Sequence, residues 1–131
     1  YLDALTWAEG IGLPGLIRRS RDNLRIVEDW VAGRDWVEFL AASPEIRSNT
    51  SVCLALTSEK FRALPVDKKD EFIRRIAGEL SKAGVAHDIA AYRDAPPGFR
   101  FWCGPTVEPS DIGTALQALE DAYRRHSASL G

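Results

Sequence analysis

Apolar residues recur at helical spacing in some stretches of this chain and alternate at strand spacing in others, so the two periods divide it into elements. Leu2, Leu5 and Ala8 share one face of a short helix over 2–11, which Gly12 ends. Pro14 stands just inside the start of a second helix, where its missing N–H costs little. Leu16, Ile17, Leu24, Val27, Trp30 and Val31 carry that helix to a stop at Gly33. Residues 36–40 read as a short strand, and the loop after it carries Pro44 and the polar run Arg47-Ser48-Asn49-Thr50. The most continuously apolar strand spans 51–57, which predicts a central position in a sheet. Residues 58–64 are an indecisive turn.

A third helix begins at Asp67, with Phe72, Ile73, Ile76, Leu80 and Ala83 on one side and Gly84 as its stop. Residues 85–93 then read as a strand and 98–104 as its hairpin partner. Glu108-Pro109 opens the last helix, whose apolar face is Ile112, Ala115, Leu116, Leu119 and Tyr123. Asp111 in its first turn and Arg124 and Arg125 in its last complement the helix dipole. This order predicts an α+β domain, a small antiparallel or mixed sheet of about four strands covered by helices.

Composition narrows the function classes. A chain of 131 residues with 45% hydrophobic content is long enough for one real core. A net charge of -2 argues against a nucleic-acid or anionic-membrane partner. Arginines outnumber lysines among the 17 basic residues, yet they are scattered. The densest run, Arg18, Arg19, Arg21 and Arg25, is diluted by Asp22, Glu28 and Asp29 and reads as a solvated helix face. Cys53 and Cys103 lie in apolar strand patterns and read as reduced core residues, as in a cytoplasmic protein. There is no zinc-like ligand spacing, and no apolar run of membrane length. The chain starts at Tyr1 and contains no methionine, so it is expected to be a piece of a longer polypeptide.

The stretch from Tyr92 to Gly104 carries the candidate chemistry. The elbow Pro96-Pro97-Gly98 delivers Arg100 into an aromatic strand. Strand alternation puts Phe99, Phe101 and Cys103 on one side and Arg100 and Trp102 on the other. A guanidinium beside that much apolar bulk calls for an anionic partner, and its planar fork suits a carboxylate or phosphate. An internal salt bridge to Asp88, Asp94 or Glu108 satisfies the same need. Trp102 reads as core filling in preference to a stacking surface. Arg47 and Ser48 read as loop capping or packing, with orientation of the elbow or a partner-subunit contact as the alternative. His87 packs or faces solvent, and His126 sits in a polar helix end.

The segment Arg93 to Gly104 resembles the C-terminal substrate-binding segment of phosphoserine aminotransferase, a PLP-dependent family of fold type I, class V. It is most similar to a subgroup reading Tyr-Arg-Asp-Ala-Pro-Pro-Gly, an apolar residue, Arg, and then Trp-Cys-Gly. Arg47-Ser48-Asn49-Thr50-Ser51-Val52 and Tyr1-Leu2-Asp3-Ala4-Leu5 with Trp7-Ala8-Glu9 resemble other parts of the same family, in order. The resemblance implies that residues 1–33 are a helical lead-in from an absent large domain and 34–131 the small domain. It implies that Arg100 grips the substrate α-carboxylate and that Arg93 reaches the distal phosphate. Better-known members carry a His-Arg pair and a Gly-Gly where this chain has Tyr92-Arg93-Asp94 and Pro97-Gly98, and Asp94 is an alternative partner for Arg93. The resemblance further implies a cytoplasmic homodimer using PLP, with the PLP-bearing lysine outside this chain. Lys60, Lys68, Lys69 and Lys82 all lie in polar, turn or helix-surface contexts, so the isolated chain is expected to be inactive. Three other readings stand beside this one, the first being the small domain of another class V aminotransferase that uses an alanine or serine donor. The second is a regulatory amino-acid-binding module of β-α-β-β-α-β order. The third is a dimerisation domain, which calls for a large exposed apolar face on the first two helices.

Overall fold

A computed structural model describes residues 1–92 and 94–130. Five helices and three strands follow one another as α1 (Leu2–Ile11), α2 (Leu13–Ala32), β1 (Val37–Phe39), β2 (Ser51–Leu56), α3 (Glu59–Arg62), α4 (Val66–Lys82), β3 (Gly98–Trp102) and α5 (Pro109–Ser127). A 3₁₀ turn, Pro44–Ile46, interrupts the loop between β1 and β2. The sheet is antiparallel in the order β1-β2-β3, so the apolar strand β2 is central as its sequence implies. The turn at 58–64 holds the four-residue helix α3, which buries Phe61.

Alternation along β2 and β3 sets which face of the sheet is covered. Val52, Leu54 and Leu56 of β2 join Phe99 and Phe101 of β3, and Cys103 beyond it, on the buried side. Against them pack Val27 of α2, Ile73, Ile76 and Leu80 of α4, and Ile112, Leu116 and Leu119 of α5. Burying each such side chain contributes about 1.5–3 kcal/mol. The opposite face carries Ser51, Cys53 and Ala55 across from Trp102, Arg100 and Gly98; there Trp102 is exposed, while Ser51, Cys53, Ala55 and Arg100 are half-buried.

The segment 85–92 corrects the four-strand expectation: among the described residues three strands form, and β3 pairs with β2. Val85 and Ala86 donate their N–H groups to Leu80 O, closing α4 rather than extending a strand. Asp88 then takes a left-handed φ of 53°, which breaks any extended run. What survives is a bridge between Ala90 and Phe99, with Arg100 N donating to Ile89 O and Ala91 N to Gly98 O. That bridge still covers the outer edge of β3.

Two features of the helices were not visible in their apolar stripes. The deepest line of α2 is Ser20, Asn23 and Val27, so an amide sits in the core. Asn23 Nδ2 donates to the carbonyls of Cys103, Gly104 and Val107 at 3.2, 3.2 and 3.0 Å, tying the β3–α5 loop to α2. On α5, Glu120 is buried and accepts from Arg34 Nε at 2.9 Å and from Arg124. Arg34 also lies over the Trp30 ring at 4.3 Å, while Trp36 stacks on Tyr123 at 3.7 Å between centroids. No residue of α1 is buried; Leu2, Leu5 and Trp7 face out.

Candidate substrate-anion site

The elbow is built by a close approach. A Cβ on Gly98 would stand 2.3 Å from the Leu54 carbonyl oxygen, so only glycine lets the chain enter the sheet beside β2 there. Two residues later Arg100 projects onto the face opposite the core, with Cys53 as its cross-strand neighbour. A narrow cleft runs alongside, lined by Leu40, Cys53, Tyr92, Pro96, Pro97 and Arg100 among others.

The guanidinium of Arg100 is held loosely for so buried a charge. Its side chain is 14% exposed, while that of its partner Asp88 is 87% exposed. Only Nη2 engages that partner, donating to Asp88 Oδ2 at 3.2 Å and to Asp88 O at 3.4 Å. The Tyr92 ring lies under the guanidinium at 4.3 Å, a cation–π contact that orients its plane. Nε is buried with no hydrogen-bond partner among the described residues. A buried donor left unpaired costs about 1–3 kcal/mol, so the site gains from an acceptor that reaches Nε and a terminal nitrogen together. A carboxylate does this with two oxygens.

Of the three carboxylates that sequence proximity offered Arg100, Asp88 is the one that meets it. Glu108 pairs with Arg19 at 2.6 Å instead, and Arg19 Nε also donates to Pro105 O. The expected roles of Arg93 lie outside the described residues. Trp102 corrects its core-filling expectation: it is 53% exposed on the same face as Arg100, where the alternation of β3 sends it. Its indole covers Gly104, whose Cβ position would fall 2.6 Å from the ring.

A second depression of about 270 Å³ lies where β1 stops and β2 runs on, lined by Phe39, Leu40, Ile46, Arg47, Ser48 and Cys53 among others. Here Arg47 stacks over Phe39 at 4.0 Å and reaches Glu28 at 3.4 Å. Ser48 Oγ accepts from the N–H groups of Thr50 and Ser51, the expected loop cap. Cys53 and Leu40 line both depressions. Sequence reasoning placed Cys53 in the core. The signal that locates it was the β2 alternation, which sends it opposite to Val52 and Leu54.

Elsewhere the polar groups are structural. His87 is exposed and meets Ser81 Oγ at 3.0 Å, and His126 meets Glu79 at 2.7 Å. Cys103 is free, and burial pushes its thiol up to about 12, which makes it inert. Among the described residues no cluster of His, Cys, Asp and Glu is placed to hold a metal ion. Among the described residues no helix is long and apolar enough to cross a membrane.

No family model matches the chain. Among curated proteins, phosphoserine aminotransferase of Methanosarcina barkeri is 44% identical over 124 residues, covering 94% of this chain and 31% of that protein. Phosphoserine aminotransferase of Methanosarcina mazei is 41% identical over the same length and shares. The chain therefore spans about a third of the length of the relatives it matches. Over nearly all of its own length, this chain is homologous to a segment of phosphoserine aminotransferase.

Proposed function

We propose that this chain is the C-terminal, substrate-recognising small domain of a phosphoserine aminotransferase, with residues 1–33 leading in from a larger domain. The reaction is reversible amino transfer between phosphoserine and 2-oxoglutarate, giving 3-phosphooxypyruvate and glutamate on the serine biosynthetic route. The whole enzyme is a cytoplasmic homodimer. The observation that carries the reading is Arg100, a largely buried guanidinium on the sheet face opposite the core, with Nε unpartnered among the described residues. It suits the α-carboxylate that phosphoserine and glutamate share. Two parallel N–H···O bonds hold a carboxylate in one plane and one rotation. That orientation lowers the barrier to breaking the Cα–H bond.

PLP supplies the electron sink in such an enzyme, but the residues of this chain do not fit its attachment. Lys60, Lys68 and Lys82 are exposed, and Lys69 lies half-buried over Phe61 at 6.0 Å. Lys68, hydrogen-bonded to Glu71, is held above the ordinary lysine range, opposite to what a nucleophilic amine needs. The cofactor is accordingly assigned to the rest of the polypeptide. Arg93 is assigned to the distal phosphate of phosphoserine.

The test is a visible absorbance titration of the native polypeptide with PLP bound. Phosphoserine is expected to convert the cofactor band to its amine form. In Arg100→Ala the conversion slows for phosphoserine and glutamate alike, with PLP still bound. A band that ignores phosphoserine and responds to alanine or serine moves the substrate to another class V donor. Arg93→Ala is expected to impair phosphoserine far more than glutamate, and equal losses remove Arg93 from the phosphate site.

A further inference from the structure

We infer that Asp88 is a displaceable internal counter-ion of Arg100, occupying the guanidinium until a substrate carboxylate takes its place, so that removing its charge tightens ligand binding. This rests on the carboxylate-binding reading of Arg100 and goes beyond it by naming the group that competes for the site. A salt bridge built to stay would use the fork of the guanidinium in two places and exclude water from both partners. The pair here does neither. Both contacts come from Nη2, at 3.2 and 3.4 Å, longer than the roughly 2.7–2.9 Å of a strong charge-assisted bond.

The two partners also differ in burial. The Asp88 side chain is 87% exposed and that of Arg100 is 14% exposed. The aspartate is therefore already hydrated and loses little by swinging out, whereas the arginine retains a charge that needs an anion. Nε, buried and without a partner among the described residues, is the donor that Asp88 leaves unused and that a second carboxylate oxygen can take. The backbone fixes where the competitor stands. Asp88 holds a φ of 53°, and the next residue's carbonyl accepts from Arg100 N at 2.7 Å. The carboxylate is thus presented to the guanidinium by main-chain geometry, while its side chain remains free to turn.

The left-handed backbone supplies a clean variant, because asparagine tolerates that conformation as readily as aspartate. Asp88→Asn removes the charge and keeps the shape. The dissociation constants of phosphoserine and glutamate are measured on the native PLP-bound polypeptide for the parent, Asp88→Asn and Arg100→Ala. Acetate, which carries only the shared carboxylate, is included as a competitor. Asp88→Asn is expected to bind both amino acids about threefold to fivefold more tightly, the range an exposed ion pair supports. Acetate is expected to compete more strongly by a similar factor. If Asp88→Asn binds unchanged or more weakly while Arg100→Ala loses affinity, the counter-ion role is overturned and the carboxylate reading survives. If Arg100→Ala binds as well as the parent, the carboxylate reading fails and takes this inference with it.

Discussion

Cys53 and Arg100 face each other across the β2–β3 ladder on the side of the sheet opposite the core. The thiol is half-buried, whereas Cys103 is enclosed in the core with its thiol raised to about 12. Thiolate is the reactive form and needs access to reagent. Iodoacetamide is therefore expected to alkylate Cys53 and spare Cys103 in the folded chain, with both reacting in denaturant. Mass spectrometry of the modified peptides reads this directly, and early labelling at Cys103 contradicts the placement of β3.

The elbow that presents Arg100 depends on the missing side chain at Gly98. A Cβ there meets a main-chain oxygen of the central strand, which has no rotamer to change. Gly98→Ala is expected to lower stability by about 2–3 kcal/mol and to weaken substrate binding through displacement of β3. Denaturant midpoints check the first effect. A variant of parental stability means that β3 slides to admit the methyl group at no cost.

Asn23 is the link between α2 and the loop that follows the site. Its three carbonyl partners fix the amide with Nδ2 toward the loop. Asn23→Ala leaves them without that donor and is expected to cost about 2–3 kcal/mol. Asn23→Asp is expected to be worse at neutral pH, because it turns a donor into an anion aimed at carbonyl oxygens. Chemical denaturation ranks the two, and an aspartate variant more stable than the alanine one defeats the account.

Glu120 predicts an acid dependence. The hydrogen bond from Arg34 comes first among the causes that hold its carboxyl below the usual carboxylate range. A carboxyl depressed in the folded state contributes stability that is fully present above its unfolded value of about 4.3. The contribution is lost as pH falls through the lower folded value. Glu120→Gln is expected to cost about 3 kcal/mol at neutral pH, because it strands the partly buried Arg34. The gap between parent and variant closes as pH drops below about 4. A gap that stays constant from pH 7 to pH 2 excludes the ion pair as its source.

The local periods are legible in the sequence alone. Helical spacing located α2, α4 and α5, alternation sent Arg100 and Trp102 away from Phe99, Phe101 and Cys103, and continuous apolarity made β2 central. Those properties follow from backbone geometry within a few residues, so the order of residue types carries them. The short-motif likeness around Pro96-Pro97-Gly98 anticipated the homology that extends over nearly the whole chain. What tertiary structure decided were relationships between distant segments. The segment 85–93 has the composition of a strand, but the closing turn of α4 takes its first N–H groups and Asp88 turns left-handed. Asn23 and Glu120 are polar residues on amphipathic helices, and only the arrival of the β3–α5 loop and of Arg34 gives them buried partners. The loose pairing of Arg100 with Asp88 has the same origin: which anion reaches a guanidinium, and through how many of its nitrogens, is settled by packing across the sheet edge.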